Sequence, residues 1–220
     1  LSTASFPASC CMYRILLLYL FLAIPAAAAT PPVVLVVGDS LSAGYGLAVH
    51  ENWPSLLQDR LAAAGHPYRV VNASISGDTT SGGLARLPRA LERNTPAIVL
   101  IGLGGNDGLR AIPIPEIRRN LARMIQLSQA AGAEVVLAGI HIPPNYGPDY
   151  TAAFHAVYHD LAAEYGTGLI PFILEGVALN AELMQDDGIH PTAAAQPVIV
   201  DNVWPALAPL LDRTMHETSK

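Results

Sequence analysis

Cysteine is almost missing from this chain: Cys10 and Cys11 stand together near the start and no other follows. From residue 12 onward there is therefore no disulfide, no thiol nucleophile and no cysteine-based metal site, and the fold must rest on its core. Charge is also scarce. Charged residues make up 14% of the chain, the net charge is -6, and no Lys/Arg run or basic patch is evident in the sequence, which argues against a nucleic-acid partner. The glycine-rich Ala43-Gly44-Tyr45-Gly46 lacks both the Walker A pattern and the dinucleotide fingerprint spacing. Beyond the first thirty residues there is no internal repeat, long linker or low-complexity segment. What remains is 51% apolar over 220 residues, too apolar for disorder and long enough for one α/β domain with a full core.

The first residues read as an export signal. Met12-Tyr13-Arg14 resembles a start with a positive n-region, residues 15–24 are apolar, and Ala27-Ala28-Ala29 supplies small residues for cleavage before Thr30. Residues 1–11 then read as extra upstream sequence. The alternative is a membrane anchor, but the apolar stretch falls short of the ~20 residues a span requires. The expected division is a signal over 1–29 and a single domain over 30–220. The mature protein is expected to be periplasmic or secreted, with no stable membrane anchor after processing.

Five apolar runs predict strands at 33–37, 68–73, 97–101, 134–138 and 169–170, several without alternation, as for strands buried on both faces. Helices are predicted over 53–64 after an Asn52 cap, 81–93 despite Pro88, 115–131, 150–165 and 192–211, with a frayed polar tail after Leu211. Trp53, Leu56, Leu57 and Leu61 recur at helical spacing and should face the sheet. Strands alternating with helices imply βαβ units and a parallel sheet covered on both faces.

The chemistry-bearing residues fall in the connections, which such a sheet gathers at one edge. Ser40 follows the first strand and Gly38; alone, it reads equally as a helix or turn cap. Gly77 and Asn106 alone read as turn residues, and His190 as a capping or core histidine. Together with Asp187 they supply a nucleophile, a base, an orienting acid and oxyanion donors, the set needed for acyl transfer. A free hydroxyl is a poor nucleophile and needs a base such as His190. Pro191 holds His190 extended, and Asp187, three residues before it, can fold back onto the ring. The amides of Ser40 and Gly77 and the side chain of Asn106 are the candidate oxyanion donors.

Gly38-Asp39-Ser40-Leu41-Ser42, Gly77, Gly104-Gly105-Asn106-Asp107 and Asp187-Gly188-Ile189-His190-Pro191 resemble the four blocks of the SGNH (GDSL) hydrolase family. The likeness runs from about Val33 to Leu211. It is closest to the family's bacterial periplasmic enzymes with thioesterase, lysophospholipase and arylesterase activity. It implies a flavodoxin-like three-layer α/β/α sandwich with a mainly parallel five-stranded sheet, and a serine esterase needing no metal or cofactor. By motif position, the nucleophile falls on Ser40, the oxyanion donors on Ser40, Gly77 and Asn106, and the acid and base on Asp187 and His190.

The expected partner is a small acyl ester or thioester, and the expected state is a monomer. Leu109, His141, Ile142 and Tyr146 are the candidate substrate-binding residues, although family members tend to carry a different polar or basic residue at the position of His141. Two other readings compete. A carbohydrate O-acetylesterase fits less well, because Leu41, Leu109, Ile112, Ile114 and Ile142 suit an acyl chain. A non-catalytic lipid- or carbohydrate-binding domain has no need of Ser40, Asp187 and His190 together.

Overall fold

The computed structural model describes residues 2–3 and 30–217, the last four by backbone alone. The export signal, its cleavage site and both cysteines lie outside the described residues. All elements belong to the compact unit Pro31–Lys220.

Branched apolar runs form the strands β1 (Val33–Gly38), β2 (Arg69–Asn72), β3 (Ile98–Gly102), β4 (Glu134–Ala138) and β5 (Gly168–Ile170). Every residue of β1 and β3 is buried, which explains why their sequences do not alternate. The strands pair in the order β2-β1-β3-β4-β5, and every pair is parallel. This is the flavodoxin-like order. The direction of winding reverses between β1 and β3, whose ends align at Gly38 and Gly102. In such sheets the crevice at that reversal is where ligands bind. The edge strand β2 is short, with polar, exposed Arg69 and Asn72 at its ends, as suits an edge that must not pair with another chain.

The helices are α1 (Ser40–Ala43), α2 (Trp53–Ala63), α3 (Thr80–Asn94), α4 (Gly105–Leu109), α5 (Ile114–Ala130), α6 (Pro148–Tyr165) and α7 (Gln196–Glu217). α3 packs on α5 and α5 on α6, while α2 packs with α7, the grouping that right-handed crossovers in this strand order put on opposite faces of the sheet. Asn52 caps α2 as expected, its Oδ1 accepting the Ser55 N–H at 3.0 Å. The Trp53 N–H donates to Gln196 Oε1 at 3.0 Å, joining the starts of α2 and α7. Trp53, Leu57 and Leu61 are fully buried. Truncating any of them to alanine would cost about 2–5 kcal/mol.

Three elements differ from the sequence reading. Ser40 is the first residue of a short helix rather than its cap, because Asp39 takes the cap position. The glycine-rich stretch after β3 also coils into a helix, α4. A Cβ on Gly108 would lie 2.5 Å from Ile142 Cγ2 and 3.0 Å from the Phe154 ring, so this glycine serves close packing rather than turning. The last helix starts later and ends later than expected. The Ala195 N–H bonds back to the Thr192 carbonyl in a tight 3-10 turn, and α7 continues to Glu217, beyond the tail expected to fray.

Candidate active site

β1 delivers its C-terminal residue Gly38 to the sheet edge, and Asp39 stops the strand. The Asp39 Oδ1 accepts the Leu41 N–H at 3.0 Å, which fixes Ser40 as the first residue of α1. A first-turn N–H has no acceptor inside its helix. Among the described residues the Ser40 N–H has no backbone or side-chain acceptor either.

His190 meets Ser40 from a distant segment. Its Nε2 lies 2.8 Å from Ser40 Oγ, and its Nδ1 lies 2.6 Å from Asp187 Oδ2. A carboxylate accepts only, so the Nδ1 proton belongs to that contact and Nε2 is left to accept from the serine hydroxyl. The second Asp187 oxygen, Oδ1, accepts the backbone N–H groups of Ile189 and His190, each at 2.9 Å. The hydrogen bond from the His190 ring, then those from the two backbone amides, hold the Asp187 carboxyl down at about 2. The loop carrying this pair is closed by an antiparallel bridge between Met184 and Pro191, and the Gln185 N–H donates to the His190 carbonyl at 2.7 Å.

Asn106 lies in the first turn of α4. Its Nδ2 donates to the Asp78 carbonyl at 3.0 Å and more loosely to Asp39 Oδ2 at 3.4 Å. Asp39 itself is buried. Desolvation pushes its carboxyl up to about 6, against the opposing pull of the Leu41 N–H, the His190 charge and Asn106.

Gly77 sits on the loop from β2 to α3 at φ +80°, a left-handed conformation that favours glycine. Its N–H is also without a partner among the described residues. Arg86, from α3, ties this loop down. Its Nε donates to Asp78 Oδ2 at 2.7 Å, and its terminal nitrogens donate to the Ala73 and Gly38 carbonyls. Thus one guanidinium links the Gly77 loop to the end of β1.

Three of the four expected substrate-binding residues come together. Tyr146 Oη donates to the Leu109 carbonyl at 2.7 Å, and Ile142 packs against Gly108 of α4. His141 is placed differently: its exposed ring stacks on Phe172 at 4.2 Å and meets His155 edge-on at 4.1 Å. Neighbours along an extended segment point to opposite sides, so packing Ile142 inward turns His141 outward. Burial, then the nearby His155, pushes the His141 imidazole down. Among the described residues no His, Cys, Asp or Glu cluster is arranged to hold a metal ion.

Several supporting residues were not legible in the sequence. Tyr45 lies over His190 with ring centroids 4.4 Å apart, and Gln185 Nε2 donates to the Tyr45 and Pro191 carbonyls. Asp107 is fully buried; its two oxygens accept from the Thr80 hydroxyl and N–H at 2.6 and 2.9 Å, which fastens α4 to the start of α3. Asp107 closes the family-like block Gly104-Gly105-Asn106-Asp107, but nothing in that block marks its pairing with Thr80. An imidazole held between a hydroxyl and a carboxylate is equipped to move a proton off oxygen.

Comparison with known proteins agrees with this geometry. The GDSL-like lipase/acylhydrolase family matches residues 36–197. Esterase TesA of Pseudomonas aeruginosa is 57% identical over 178 residues, 81% of this chain and 89% of that protein. The thioesterase 1/protease 1/lysophospholipase L1 of Escherichia coli K12 is 46% identical over 84% of this chain and 88% of its own length. A crystal structure of TesA superposes with a TM-score of 0.79 at 57% identity, covering 81% of this chain and 99% of that one. The chain belongs to the GDSL-like lipase/acylhydrolase family.

Proposed function

We infer that this protein hydrolyses carboxylic esters and acyl thioesters through an acyl-enzyme on Ser40, with Asp187 and His190 completing the triad. The observation that supports this most is the continuous line from Asp187 Oδ2 through His190 to Ser40 Oγ, with contacts of 2.6 and 2.8 Å. Ser40 Oγ attacks the carbonyl carbon while His190 Nε2 takes its proton. Asp187 holds the ring and favours the imidazolium that forms. The negative charge moves to the carbonyl oxygen, where the free N–H groups of Ser40 and Gly77 and one Asn106 amide hydrogen receive it. The loose 3.4 Å contact from Asn106 to Asp39 is the one that gives way to the oxyanion. His190 then protonates the departing alcohol or thiol. Water repeats the sequence on the acyl-enzyme and releases the acid. Leu109, at the end of α4, and Ile142 and Tyr146, packed against that helix, form the wall for the acyl chain.

The same reading includes export. Residues 12–29 direct the chain across a membrane and cleavage precedes Thr30, which leaves a periplasmic or secreted enzyme. Among the described residues no helix is long and apolar enough to cross a membrane. N-terminal sequencing of the product from a Gram-negative host should begin at Thr30; an intact Met12 in a membrane fraction would overturn this.

The decisive test is Ser40→Ala. The variant should fold normally and lose esterase activity by several orders of magnitude, and a serine-directed phosphonate should label Ser40 in the wild type. Retained turnover, or labelling only at Ser42, would reject the assignment. A series of p-nitrophenyl esters from acetate upward separates an acyl-chain hydrolase from an O-acetylesterase.

A further inference from the structure

Away from Ser40, a groove of about 610 Å³ runs between the edge strand β2 and α3. Four arginines line it: Arg69 from β2, and Arg86, Arg89 and Arg93 from α3. Arg86 is committed to the Gly77 loop, as described above. No acidic side chain lies within ion-pair or hydrogen-bonding distance of the other three among the described residues. The whole chain holds 12 Lys and Arg against 18 Asp and Glu, so this concentration of positive charge runs against the overall sign. Positions 86, 89 and 93 fall on one helical stripe, and Arg89 and Arg93 form a like-charged i,i+4 pair that disfavours the helix. An edge strand needs only one charged residue to discourage pairing, so Arg69 has an ordinary explanation. The facing pair on α3 does not.

We propose that Arg69, Arg89 and Arg93 form a phosphate-binding subsite for the leaving group of an acyl-CoA thioester. This deepens, and rests on, the hydrolase reading above. Guanidinium groups bind phosphate oxygens through paired N–H donors, and a set of unpaired ones is a ready site for several phosphates. Position along the groove selects the ligand. Arg86 touches the Gly38 carbonyl, two residues before Ser40. From there α3 leads away from the site, and its rise puts Arg89 about 4.5 Å and Arg93 about 10 Å further off. Phosphates bound there are remote from the scissile bond. That suits CoA, whose phosphates lie at the far end of a pantetheine arm. It does not suit a lysophospholipid, whose phosphate is only a few bonds from its ester.

The test compares wild type with the double variant Arg89→Gln/Arg93→Gln, leaving Arg86 in place. Three substrates carry the same acyl chain: the CoA thioester, the N-acetylcysteamine thioester without phosphate, and the lysophosphatidylglycerol ester. The KM for the CoA thioester should rise about tenfold with kcat unchanged, and its steepening with salt should largely disappear. The other two substrates should be unaffected. An unchanged KM for the CoA thioester, an equal loss on the neutral thioester, or a loss confined to the lysophospholipid each overturns the subsite. Calorimetric titration of CoA into Ser40→Ala, with and without the two arginine changes, judges the groove without turnover. Weaker CoA binding after the arginine changes supports it, and equal binding rejects it. Failure of the wild type to cleave any ester would instead count against the hydrolase reading.

Discussion

Asp187 and His190 are joined twice. One carboxylate oxygen meets the imidazole Nδ1 at 2.6 Å, and the other accepts the backbone N–H of the same histidine at 2.9 Å. The acid therefore fixes both the ring and the backbone that carries it. Asp186, its neighbour, is exposed. Asp187→Asn keeps the shape but puts a donor where the ring also donates, favouring the wrong tautomer; in a serine protease this costs ~10⁴ in kcat. A loss in that direction is expected here, softened by the Tyr45 ring that still covers His190. Asp186→Asn should keep most activity. Turnover of one activated ester, with circular dichroism as a folding control, decides between them. A crippled Asp186→Asn beside a near-normal Asp187→Asn would mean the triad is assigned one residue out of place.

Asn106, a proposed oxyanion donor, and Gly82, which packs against Asp78, give two tests of the proposed oxyanion site. Asn106→Ala removes a donor outright and should lower kcat roughly 10²–10³-fold with little change in KM. Gly82→Ala acts through Asp78, because a Cβ at residue 82 would sit 1.9 Å from Asp78 Oδ1. Asp78 is held by Arg86, and its carbonyl accepts from Asn106. Displacing it should loosen both Asn106 and the Gly77 loop, with a smaller loss in kcat than Asn106→Ala produces. A Gly82→Ala enzyme with wild-type kcat would show that the Asp78 clamp does not position the donors.

Asp39 makes the enzyme less stable than it need be. Burial raises its carboxyl from 3.8 to about 6, a destabilisation on the order of 3 kcal/mol once the group is ionised. Between those values the native state keeps a proton that the unfolded chain has already released. Stability should therefore fall as pH rises from about 4 to 6 and stay lower above that. Asp187 does not distort this window. Its depressed carboxyl contributes stability above the ordinary carboxylate range, and loses it only as pH falls toward about 2. Asp39→Asn should flatten the slope and raise stability at neutral pH. It should also lower kcat by about tenfold, because Asn106 leans on the Asp39 oxygen. Urea unfolding across the pH range, set beside turnover, measures both. Parallel stability profiles for wild type and variant would refute the account.

The strands were legible because their apolar runs are unbroken, and a fully buried parallel strand leaves no other pattern. The positions of Ser40, Asp187 and His190 were legible because each sits where chain geometry narrows the choices: after a strand and Gly38, or just before Pro191. α4 was not. Gly-Asn-Asp-Gly spells a turn by local preference, and it coils because Ile142 and Phe154 press on Gly108 and because Asp107 reaches Thr80, contacts made with other parts of the chain. Arg86 was hidden for the same reason: nothing local marks a surface-looking arginine as the bolt between two loops. His141 went the other way, its outward turn set by the burial of the next residue.

The contact between His190 and Ser40 spans 150 positions of sequence. A chain emerging from the ribosome presents its nucleophile early and its base nearly last. Ser40 has no side chain to take its proton until the loop after residue 184 is in place. A C-terminally clipped chain that ends before that loop therefore keeps the serine but has no base to activate it.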